Sequence, residues 1–394
     1  MRLLCIGVLA VAATSASLVA HTQEMAATPP MGWSTWNHFK HDIDDALIRK
    51  EADALVASGM RDAGYVYVHI DGGWQGYRDA SGVLHPNSSF PDMKALGDYI
   101  HSKGLKFGIY SGPGAKSCAG APASLGYEAQ DAKMFASWGV DYLKYDLCSF
   151  RENMKEESGG DVEKSDAIMK AAYEKMHQDL QATGRPILFS LCQYGWGRVW
   201  TWAPEVGGSM WRTSGDISDK YDSMAINGFG EAGLSQYAGP GHWNDPDFLE
   251  VGNSGMNADE QRTHFSLWAM LAAPLMAGND VAAMTEETKS ILLNREVIAV
   301  DQDALGREGE RAWKEGPLEV WAKPLKDGSL AVALFNRTTT ATRMTLRLRD
   351  VEWTGPAAAR DLWAHKDIGV LSPESSFTVP MHGVMMLRLS HPRP

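Results

Sequence analysis

The sequence pairs a lysine with a carboxylate on one face of a predicted strand. In the stretch Tyr142–Leu147, large apolar residues alternate with Lys144 and Asp146, which is the period of two of a β-strand. The two charged side chains therefore lie on the same side, at the end of a buried strand. Burying this pair is costly unless it forms a structural salt bridge or takes part in chemistry, and the stretch alone leaves both interpretations open.

Asp216 is the second carboxylate of interest. It lies on a loop just after the apolar stretch Ser209–Thr213, so it can reach over a bound substrate. Glycoside hydrolysis needs two carboxylates, one to attack the anomeric carbon and one to protonate the leaving oxygen. We predict that Asp146 is the nucleophile, kept ionised by the charge of Lys144, and that Asp216 is the acid. A turn or helix-capping role is the alternative for Asp216.

Other polar and aromatic side chains follow predicted strand ends in the same way. In a (β/α)8 barrel, the carboxyl ends of all the strands face one shared pocket. A pocket with several carboxylates, a lysine and an arginine suits a carbohydrate, because the acids accept hydrogen bonds from hydroxyls and the bases donate to them. The residues predicted to converge there, besides Lys144, Asp146 and Asp216, are Trp36, Asp71, Tyr110, Gln193, Arg212, Asp245 and Asp247.

Eight strand signals alternate with helical patterns over roughly 270 residues, which predicts a (β/α)8 barrel. A doubly wound open sheet is the alternative, although Gly112-Pro113-Gly114 lacks the spacing of a dinucleotide-binding loop. The predicted strands are Met31–Ser34, Tyr65–Asp71, Leu105–Ser111, Tyr142–Leu147, Pro186–Cys192, Ser209–Thr213, Tyr237–Gly241 and Ala273–Ala277. The predicted helices are Asp44–Ala63, Met93–Lys103, Tyr127–Trp138, Asp161–Thr183, Asp259–Met270 and Glu286–Leu293.

Beyond about Val300 the helical patterns give way to short strand signals. These strands are Leu318–Ala322, Ser329–Asn336, Ala341–Leu348 and Val384–Leu389, and Lys326-Asp327-Gly328 is a hairpin turn between the first two. The pattern predicts a small antiparallel β domain, most simply a sandwich. We therefore divide the chain into a signal peptide (1–22), a catalytic barrel (23–302) and an antiparallel β domain (303–394).

Composition limits the class of partner. The formal net charge of −12 argues against nucleic acid, because phosphate would be repelled. The 14 tryptophans offer flat apolar faces that suit sugar rings. Cysteines and histidines show no metal-ligand spacing, so neither a metal nor another cofactor is predicted. A carbohydrate is the predicted partner, and homo-oligomerisation stays open.

The N-terminus has the pattern of an export signal. Arg2 precedes the apolar run Leu3–Ala13, which is too short to span a membrane, and small residues follow it. We expect a secreted or periplasmic protein with no membrane association after cleavage. Cys5 would leave with the signal, and the three remaining cysteines cannot be paired from sequence alone. We favour a disulfide between Cys118 and Cys148, which follow neighbouring predicted strands, with Cys192 free and buried.

Four motifs in order resemble one enzyme family. They are Met31-Gly32-Trp33-Ser34-Thr35-Trp36-Asn37, Tyr142-Leu143-Lys144-Tyr145-Asp146, Trp211-Arg212 with Asp216, and Gly239-Pro240-Gly241-His242-Trp243-Asn244-Asp245-Pro246-Asp247. Together they resemble the α-galactosidases (melibiases) of glycoside hydrolase family twenty-seven. The likeness runs from about Pro29 to Gly306 and continues more loosely to the end.

The resemblance implies a (β/α)8 barrel with a C-terminal antiparallel β domain, a retaining double displacement and no metal. By position it implies Asp146 as nucleophile, Asp216 as acid/base, Trp36 as the stacking tryptophan, and a disulfide between Cys118 and Cys148 at the edge of the site. It implies sugar-hydroxyl binding by Asp71, Tyr110, Lys144, Arg212 and Asp247. Gln193 and Trp196, with the bulky Tyr194, fall in the loop that faces the sugar's C2, which favours a free 2-hydroxyl over an acetamide.

One departure from the family pattern concerns the choice of sugar. The family usually has two adjacent aspartates after the second strand, whereas this chain has Asp71-Gly72. Gly72 removes an acceptor for the O4 region of the sugar, and a site gains much of its discrimination from such pairing. A terminal α-D-galactoside is the predicted substrate. A β-L-arabinopyranoside, an α-N-acetylgalactosaminide or an α-glucoside is the alternative, and a non-catalytic sugar-binding relative is a third hypothesis.

Overall fold

The structure, a computed structural model, describes residues 25–392. The predicted signal segment 1–22 lies outside them. Within the described range, every helix is too short or too polar to cross a lipid bilayer.

Eight parallel strands form a closed barrel. Each barrel strand pairs with the barrel strand that comes next along the chain. Leu249 pairs in parallel with Ala277, and this contact joins the two ends of the sheet. The barrel is therefore confirmed, and the open-sheet alternative is excluded. In chain order the barrel strands are β1 (Met31–Ser34), β2 (Tyr67–Ile70), β5 (Lys106–Ser111), β6 (Tyr142–Asp146), β7 (Leu188–Cys192), β8 (Met210–Arg212), β9 (Trp243–Asp245) and β10 (Leu275–Ala277). A short hairpin, β3 (Gln75–Arg78) with β4 (Leu84–Pro86), follows β2.

The seventh barrel strand does not lie where the sequence pattern placed it. Residues 237–241 were predicted as the strand, but the strand is β9, and a tight turn precedes it. In that turn Gly239 and His242 exchange backbone hydrogen bonds of 2.8 and 2.9 Å, and Gly241 has a φ of +96°. The glycine and proline residues of 239–241 thus end one segment and redirect the chain into β9.

Helices separate the strands and cover the outside of the barrel. The predicted helix Asp44–Ala63 is two helices, because Gly59 has a φ of +84° between them, while Asp44 caps the first by accepting from the Leu47 N–H. The helices are α1 (Trp36–Phe39), α2 (Asp45–Ala57), α3 (Met60–Ala63), α4 (Met93–Ser102), α5 (Glu128–Trp138), α6 (Phe150–Ser158), α7 (Val162–Ala182), α8 (Tyr221–Gly230), α9 (Ala258–Met270), α10 (Glu286–Leu292) and α11 (Arg295–Asp301). The sequence pattern missed α1, α6, α8 and α11.

The C-terminal part is built from antiparallel strands, as predicted. Six of them form one sheet in the order β11-β12-β13-β18-β15-β16, and β14 pairs with β17. Apolar side chains from both sheets, including Val332, Leu346 and Leu387, form a shared core, which makes this part a sandwich. The strands are β11 (Glu310–Glu315), β12 (Leu318–Pro324), β13 (Leu330–Asn336), β14 (Thr342–Arg347), β15 (Ala357–Asp361), β16 (Lys366–Leu371), β17 (Glu374–Val379) and β18 (Val384–Ser390).

The barrel and the sandwich share one continuous apolar core. Trp321 and Phe335 of the large sheet belong to the same buried cluster as the barrel residues, and Phe335 packs edgewise on Phe229 of α8 with ring centroids 5.3 Å apart. Lys323 of β12 donates to the carbonyl of Ala269 in α9 at 2.9 Å. The two parts therefore pack as one body, and the sandwich does not cover the carboxyl ends of the barrel strands.

Candidate active site

A pocket opens at the carboxyl ends of the barrel strands. The space between its lining atoms, with the solvent at its mouth, is about 490 Å³. Most of the predicted site residues meet there, from six different strand ends and the loops that follow them. The pocket is lined by Trp36, Asn37, Asp71, Gly72, Tyr110, Cys118, Ala119, Lys144, Asp146, Tyr194, Arg212, Asp216, Ile217, Asp247 and Phe248.

Asp146 ends β6 with its carboxylate buried at the base of the pocket. Tyr194 donates to its Oδ1 at 2.6 Å, and Tyr110 donates to its Oδ2 at 3.2 Å. Burial raises the pKa of Asp146, while the charge of Lys144 and the Tyr194 hydrogen bond oppose the rise, and the net result lies above the usual value. The carboxylate is thus held in a fixed orientation by two hydroxyls.

Lys144 binds Asp71 and not Asp146. Its ammonium donates to Asp71 Oδ2 at 2.8 Å, and both side chains are buried. Burial by itself disfavours the ionised form of Asp71, but the charges of Lys144 and His69 and the hydrogen bonds from Lys144 and Gly72 hold its pKa below the usual value. Lys144 therefore acts on Asp146 through its charge, without a direct hydrogen bond, and this charge is the largest influence that lowers the pKa of Asp146.

Arg212, at the end of β8, joins two carboxylates. Its Nη2 lies 3.1 Å from Asp247 Oδ2 and 3.2 Å from Asp216 Oδ1. Arg212 and Asp247 are buried, whereas the Asp216 side chain is 70% exposed. The backbone N–H of Ile217, next to Asp216, donates to Asp247 Oδ2 at 2.8 Å. The buried ion pair thereby anchors the loop that holds Asp216 at the mouth of the pocket.

The two carboxylates therefore occupy contrasting environments. Asp146 is enclosed and receives two hydroxyl hydrogen bonds, while Asp216 faces solvent at the mouth. An enclosed, oriented carboxylate is placed to attack a carbon in the pocket, and a carboxyl group at the mouth is placed to reach the oxygen of a leaving group that extends to solvent. The arrangement has the components of acid-assisted displacement at a sugar carbon.

The space beside Gly72 is open. A Cβ built at this glycine would lie 3.7 Å from Trp36, 3.8 Å from Tyr110 and 3.9 Å from Ala119, which are ordinary van der Waals distances. A Cβ therefore fits there without displacing its neighbours. The pocket has room where the sequence pattern led us to expect a second aspartate.

Three predicted residues do not line this pocket. Gln193 is fully buried, and within the described range neither atom of its amide has a hydrogen-bond partner. Trp196 lies outside, on the rim, with 46% of its surface exposed. Asp245 turns its carboxylate toward the backbone, where Oδ1 accepts from the Asp247 N–H at 2.9 Å. Alternation along the strand and proximity in sequence did not indicate which of these side chains faces inward.

The sequence placed Tyr194 in the loop beside the sugar but did not indicate that its hydroxyl is a partner of Asp146. Tyr194 has a φ of +61°, which turns its side chain into the pocket, and the following Gly195 has a φ of +79°. A Tyr-Gly pair directly after a buried strand was the available signal, but the positive φ of a tyrosine cannot be read from sequence. Phe248, Asn37, Ala119 and Ile217 are the other lining residues that were not singled out.

The favoured cysteine pairing is confirmed. Cys118 and Cys148 form a disulfide at the edge of the pocket, and Cys192 is free and buried. Sγ of Cys118 lies 3.8 Å from Asp146 Oδ2. The disulfide joins the loops after β5 and β6, so it fixes one wall of the pocket next to the buried carboxylate.

Comparison with known proteins places the chain in a family. It matches the family model of alpha galactosidase A over residues 28–303 and that of the alpha galactosidase C-terminal beta sandwich domain over residues 315–389. It is 45% identical to the alpha-galactosidase of Cyamopsis tetragonoloba over 372 residues, which are 93% of this chain and 87% of that protein.

Solved structures agree with the sequence matches. Alpha-galactosidase I from Mortierella vinacea has a TM-score of 0.86 at 37% identity, covering 92% of this chain and 97% of that one. A β-L-arabinopyranosidase from Geobacillus stearothermophilus has a TM-score of 0.82 at 25% identity, covering 94% and 98%. With matched models over both parts of the chain, this protein belongs to the alpha galactosidase A family of glycoside hydrolases.

Proposed function

We propose that the enzyme hydrolyses terminal α-D-galactosides of oligosaccharides or polysaccharides with retention of configuration. The observation that carries this proposal is the pair of carboxylates in one pocket, Asp146 enclosed at the base and Asp216 exposed at the mouth. The relatives named above as alpha-galactosidases support the choice of galactose.

The reaction follows from the placement of the two carboxylates. Asp146 attacks the anomeric carbon, while Asp216 gives its proton to the glycosidic oxygen as the bond to the leaving group breaks. Asp216, now ionised, then takes a proton from water, and that water displaces Asp146 from the same carbon. Two inversions give net retention, and no metal or redox partner takes part in this scheme.

The other lining residues would hold the sugar. The Lys144–Asp71 and Arg212–Asp247 pairs are buried and already ordered, so their free donor and acceptor sites cost little to orient against hydroxyls. Trp36 offers a flat apolar face to the C–H side of a ring. The pocket is closed below by the barrel, so a sugar chain cannot pass through it, which supports exo-action on a terminal sugar.

The roles of Asp146 and Asp216 can be separated by chemical rescue. In Asp146→Gly we expect turnover of an aryl α-galactoside to fall roughly ten-thousandfold, because no covalent intermediate forms. Added azide should restore activity and yield the β-galactosyl azide, since azide attacks in place of the missing carboxylate.

Asp216→Gly is the matched control for this experiment. Here the covalent intermediate still forms from an activated aryl galactoside, and azide attacks it to give the α-galactosyl azide. The anomeric configuration of each product, read by NMR, assigns the roles. Normal turnover in Asp146→Gly, or the same azide anomer from both variants, would contradict the assignment.

A different sugar is the second candidate, favoured by the open space at Gly72. A β-L-arabinopyranoside has the ring configuration of an α-galactoside without the hydroxymethyl group, and one structural relative is named as a β-L-arabinopyranosidase. Without an acceptor at Gly72, the site would discriminate less between sugars that differ in the O4 region of the ring. A panel of aryl glycosides, comprising the α-galactoside, β-L-arabinopyranoside, α-N-acetylgalactosaminide and α-glucoside, decides between these substrates.

Introducing an acceptor at position 72 tests whether this position controls the choice of sugar. In Gly72→Asp we expect the ratio of kcat/KM for the α-galactoside over the α-glucoside to rise about tenfold or more, because the added carboxylate pairs only with the correctly placed hydroxyl. Gly72→Ala fills part of the space without an acceptor and should leave the ratio near its original value. An equal rise in both variants would show that shape, and not hydrogen bonding, sets the preference.

Export to an oxidising compartment completes the proposal. The apolar run Leu3–Ala13 behind Arg2 is of signal-peptide type, and a disulfide such as Cys118–Cys148 persists in secreted or periplasmic proteins.

A further inference from the structure

Asn37 forms part of the wall of the sugar pocket. It lies in α1, directly after Trp36, at the carboxyl end of β1. Its Nδ2 donates to Glu250 Oε1 at 2.6 Å, and Glu250 lies in the segment after β9 that also carries Asp247. The pair therefore joins two walls of the pocket, one after the first barrel strand and one after the seventh.

Glu250 fixes the direction of the Asn37 amide. Glu250 is buried, and its second oxygen, Oε2, accepts from the amide of Asn253. An ionised carboxylate only accepts hydrogen bonds, so Asn37 must present its NH2 group, and not its carbonyl oxygen, to Glu250. Burial raises the pKa of Glu250 to about 7, and the hydrogen bonds from Asn253 and Asn37 oppose that rise. A proton on Oε2 leaves Oε1 free to accept, so the Asn37 amide can keep this direction when Glu250 is neutral.

Close packing supports the same orientation. A Cβ at Gly278 would lie 2.9 Å from the Cβ of Asn37 and 3.3 Å from its Cγ, so the lack of a side chain at Gly278 lets Asn37 lie against the chain after β10. The Gly278 N–H donates to the Leu249 carbonyl at 2.9 Å, which ties that chain to the residue before Glu250. The Asn37 side chain is thus held by a hydrogen bond and by backbone packing before a sugar binds.

The carbonyl oxygen of Asn37 is left as an accessible acceptor. Within residues 25–392 it accepts no hydrogen bond, and it is not one of the enclosed polar atoms that lack a partner. In Asp71, by contrast, both oxygens already accept from the protein, Oδ1 from the Gly72 N–H and Oδ2 from Lys144. Because a sugar hydroxyl carries a proton that needs an acceptor, an unoccupied amide oxygen in the pocket wall is suited to receive it.

From these contacts we propose that Asn37 binds the terminal sugar, its carbonyl oxygen accepting from one sugar hydroxyl, and that Glu250 is the residue that positions it. The inference rests on the proposed glycosidase function and adds to it a polar contact that selects the sugar. Glu250 does not line the pocket and acts through Asn37. A sugar without a hydroxyl at the matching position would leave the amide oxygen unpaired and would be hydrolysed more slowly.

Deoxygenated substrates separate a contact with the sugar from a structural role. The set is 4-nitrophenyl α-galactoside and its 2-, 3-, 4- and 6-deoxy analogues, and kcat/KM is measured for each with wild type and Asn37→Ala. We expect Asn37→Ala to lower kcat/KM for the parent substrate about tenfold. For the one analogue that lacks the partner hydroxyl, wild type and variant should have equal values, since neither forms the hydrogen bond. The other analogues should show the same loss as the parent.

Variants of Glu250 test the positioning role on the same substrates. In Glu250→Ala the Asn37 amide is free to turn, so kcat/KM for the parent should fall while that for the singled-out analogue does not. Glu250→Gln keeps a carbonyl oxygen for Asn37 and should restore most of the wild-type pattern. Asn253→Ala is the matched control, because it removes the amide from the other oxygen of Glu250 and leaves Asn37 bonded. It should preserve the wild-type difference between the parent and that analogue.

The outcomes are distinct. An equal loss on every substrate in Asn37→Ala would show a structural role, and no loss on any would show that the contact does not form; either result would overturn the inference. If Glu250→Ala kept the full wild-type difference, the positioning role would be wrong. Failure of the wild type to hydrolyse the parent galactoside would instead refute the proposed function, and this inference with it.

Discussion

At the scale of single residues, burial raises the pKa of Asp146, and the charge of Lys144 and then the Tyr194 hydroxyl oppose that rise. Lys144 gives its hydrogen bond to Asp71, and burial leaves the pKa of Asp146 above its usual value. The Tyr194 hydroxyl, 2.6 Å from Oδ1, is the direct donor that lowers this pKa. The tyrosine thereby extends the pH range in which the carboxylate is ionised and ready to attack.

Removing that hydroxyl gives a testable shift. In Tyr194→Phe the pKa of Asp146 rises, because the ionised form loses a donor and the neutral form does not. Since the reaction needs the ionised form, we expect the acidic limb of the kcat/KM profile to move to higher pH, by about one unit. The pH dependence of kcat/KM for an aryl glycoside measures it.

Tyr110→Phe is the matched control, because Tyr110 contacts the same carboxylate at the longer distance of 3.2 Å. Its acidic limb should move less. A shift in the opposite direction for Tyr194→Phe, or an equal loss of activity at every pH, would show that the hydroxyl positions substrate and does not tune the carboxylate.

At the scale of elements, the loop after β7 depends on left-handed backbone. Tyr194, Gly195, Gly197 and Arg198 all have positive φ, and this run turns the Tyr194 hydroxyl inward and the Trp196 ring outward. Two of the four are not glycine, so the backbone is strained at Tyr194 and Arg198. This strained backbone sets the direction of their side chains. The loop thus lines the pocket with Tyr194 and the rim outside it with Trp196.

Gly195 must be glycine for two independent reasons, its backbone angle and the lack of space for a Cβ. Its φ is +79°, and a Cβ would lie 2.3 Å from the Thr213 carbonyl oxygen. We expect Gly195→Ala to lower the free energy of unfolding by at least about 2 kcal/mol and to reduce kcat about tenfold or more, as Tyr194 moves. Denaturant unfolding and kinetics on the aryl glycoside measure both effects.

Gly230, at the end of α8, is the control for this substitution. Its φ is ordinary, and a Cβ there meets no atom within 4 Å. Gly230→Ala should be neutral or slightly stabilising. If both alanine variants behaved alike, the left-handed geometry of the loop would not be needed.

At the scale of the whole molecule, buried acids connect the pocket to the sandwich. Thr213 donates to Glu231, and Asn244 of β9 donates to Glu308 at 3.0 Å, just before the chain enters β11. Burial raises the pKa of Glu231 to about 8 and that of Glu308 well above its usual value. With a pKa of about 8, Glu231 holds its proton in the folded protein near neutral pH, which makes stability depend on pH.

The sign of that dependence follows from linkage. Between the ordinary value of 4.5 and about 8, folded Glu231 holds a proton that the unfolded chain releases, so its contribution falls as pH rises through this window. Glu231→Gln removes the titration. We therefore expect the free energy of unfolding of the variant, relative to wild type, to increase from pH 5 to pH 8 by on the order of 3 kcal/mol.

Denaturant unfolding at several pH values measures this difference, with the exposed Glu315→Gln as control. The control difference should stay constant with pH. A constant difference for Glu231→Gln as well would mean that the folded protein carries the ionised carboxylate.

The sequence by itself determined the architecture and the main acids of the site. Strand patterns alternating with helices specified a barrel, because period-two and period-3.6 patterns are local properties of the chain. In a barrel all strand ends share one pocket, so Asp71, Asp146, Arg212 and Asp247 could be brought together without coordinates. The disulfide between neighbouring strand ends followed from the same order.

Only the tertiary structure decided which partner each side chain has. Lys144 pairs with Asp71, Gln193 is buried outside the pocket, and Trp196 lies on the rim. These outcomes depend on the curvature of the sheet and on positive φ angles in the loop after β7, and neither is encoded in the pattern of apolar and polar residues. Hydrogen bonds act over about 3 Å, a distance that strand order and residue type alone do not resolve.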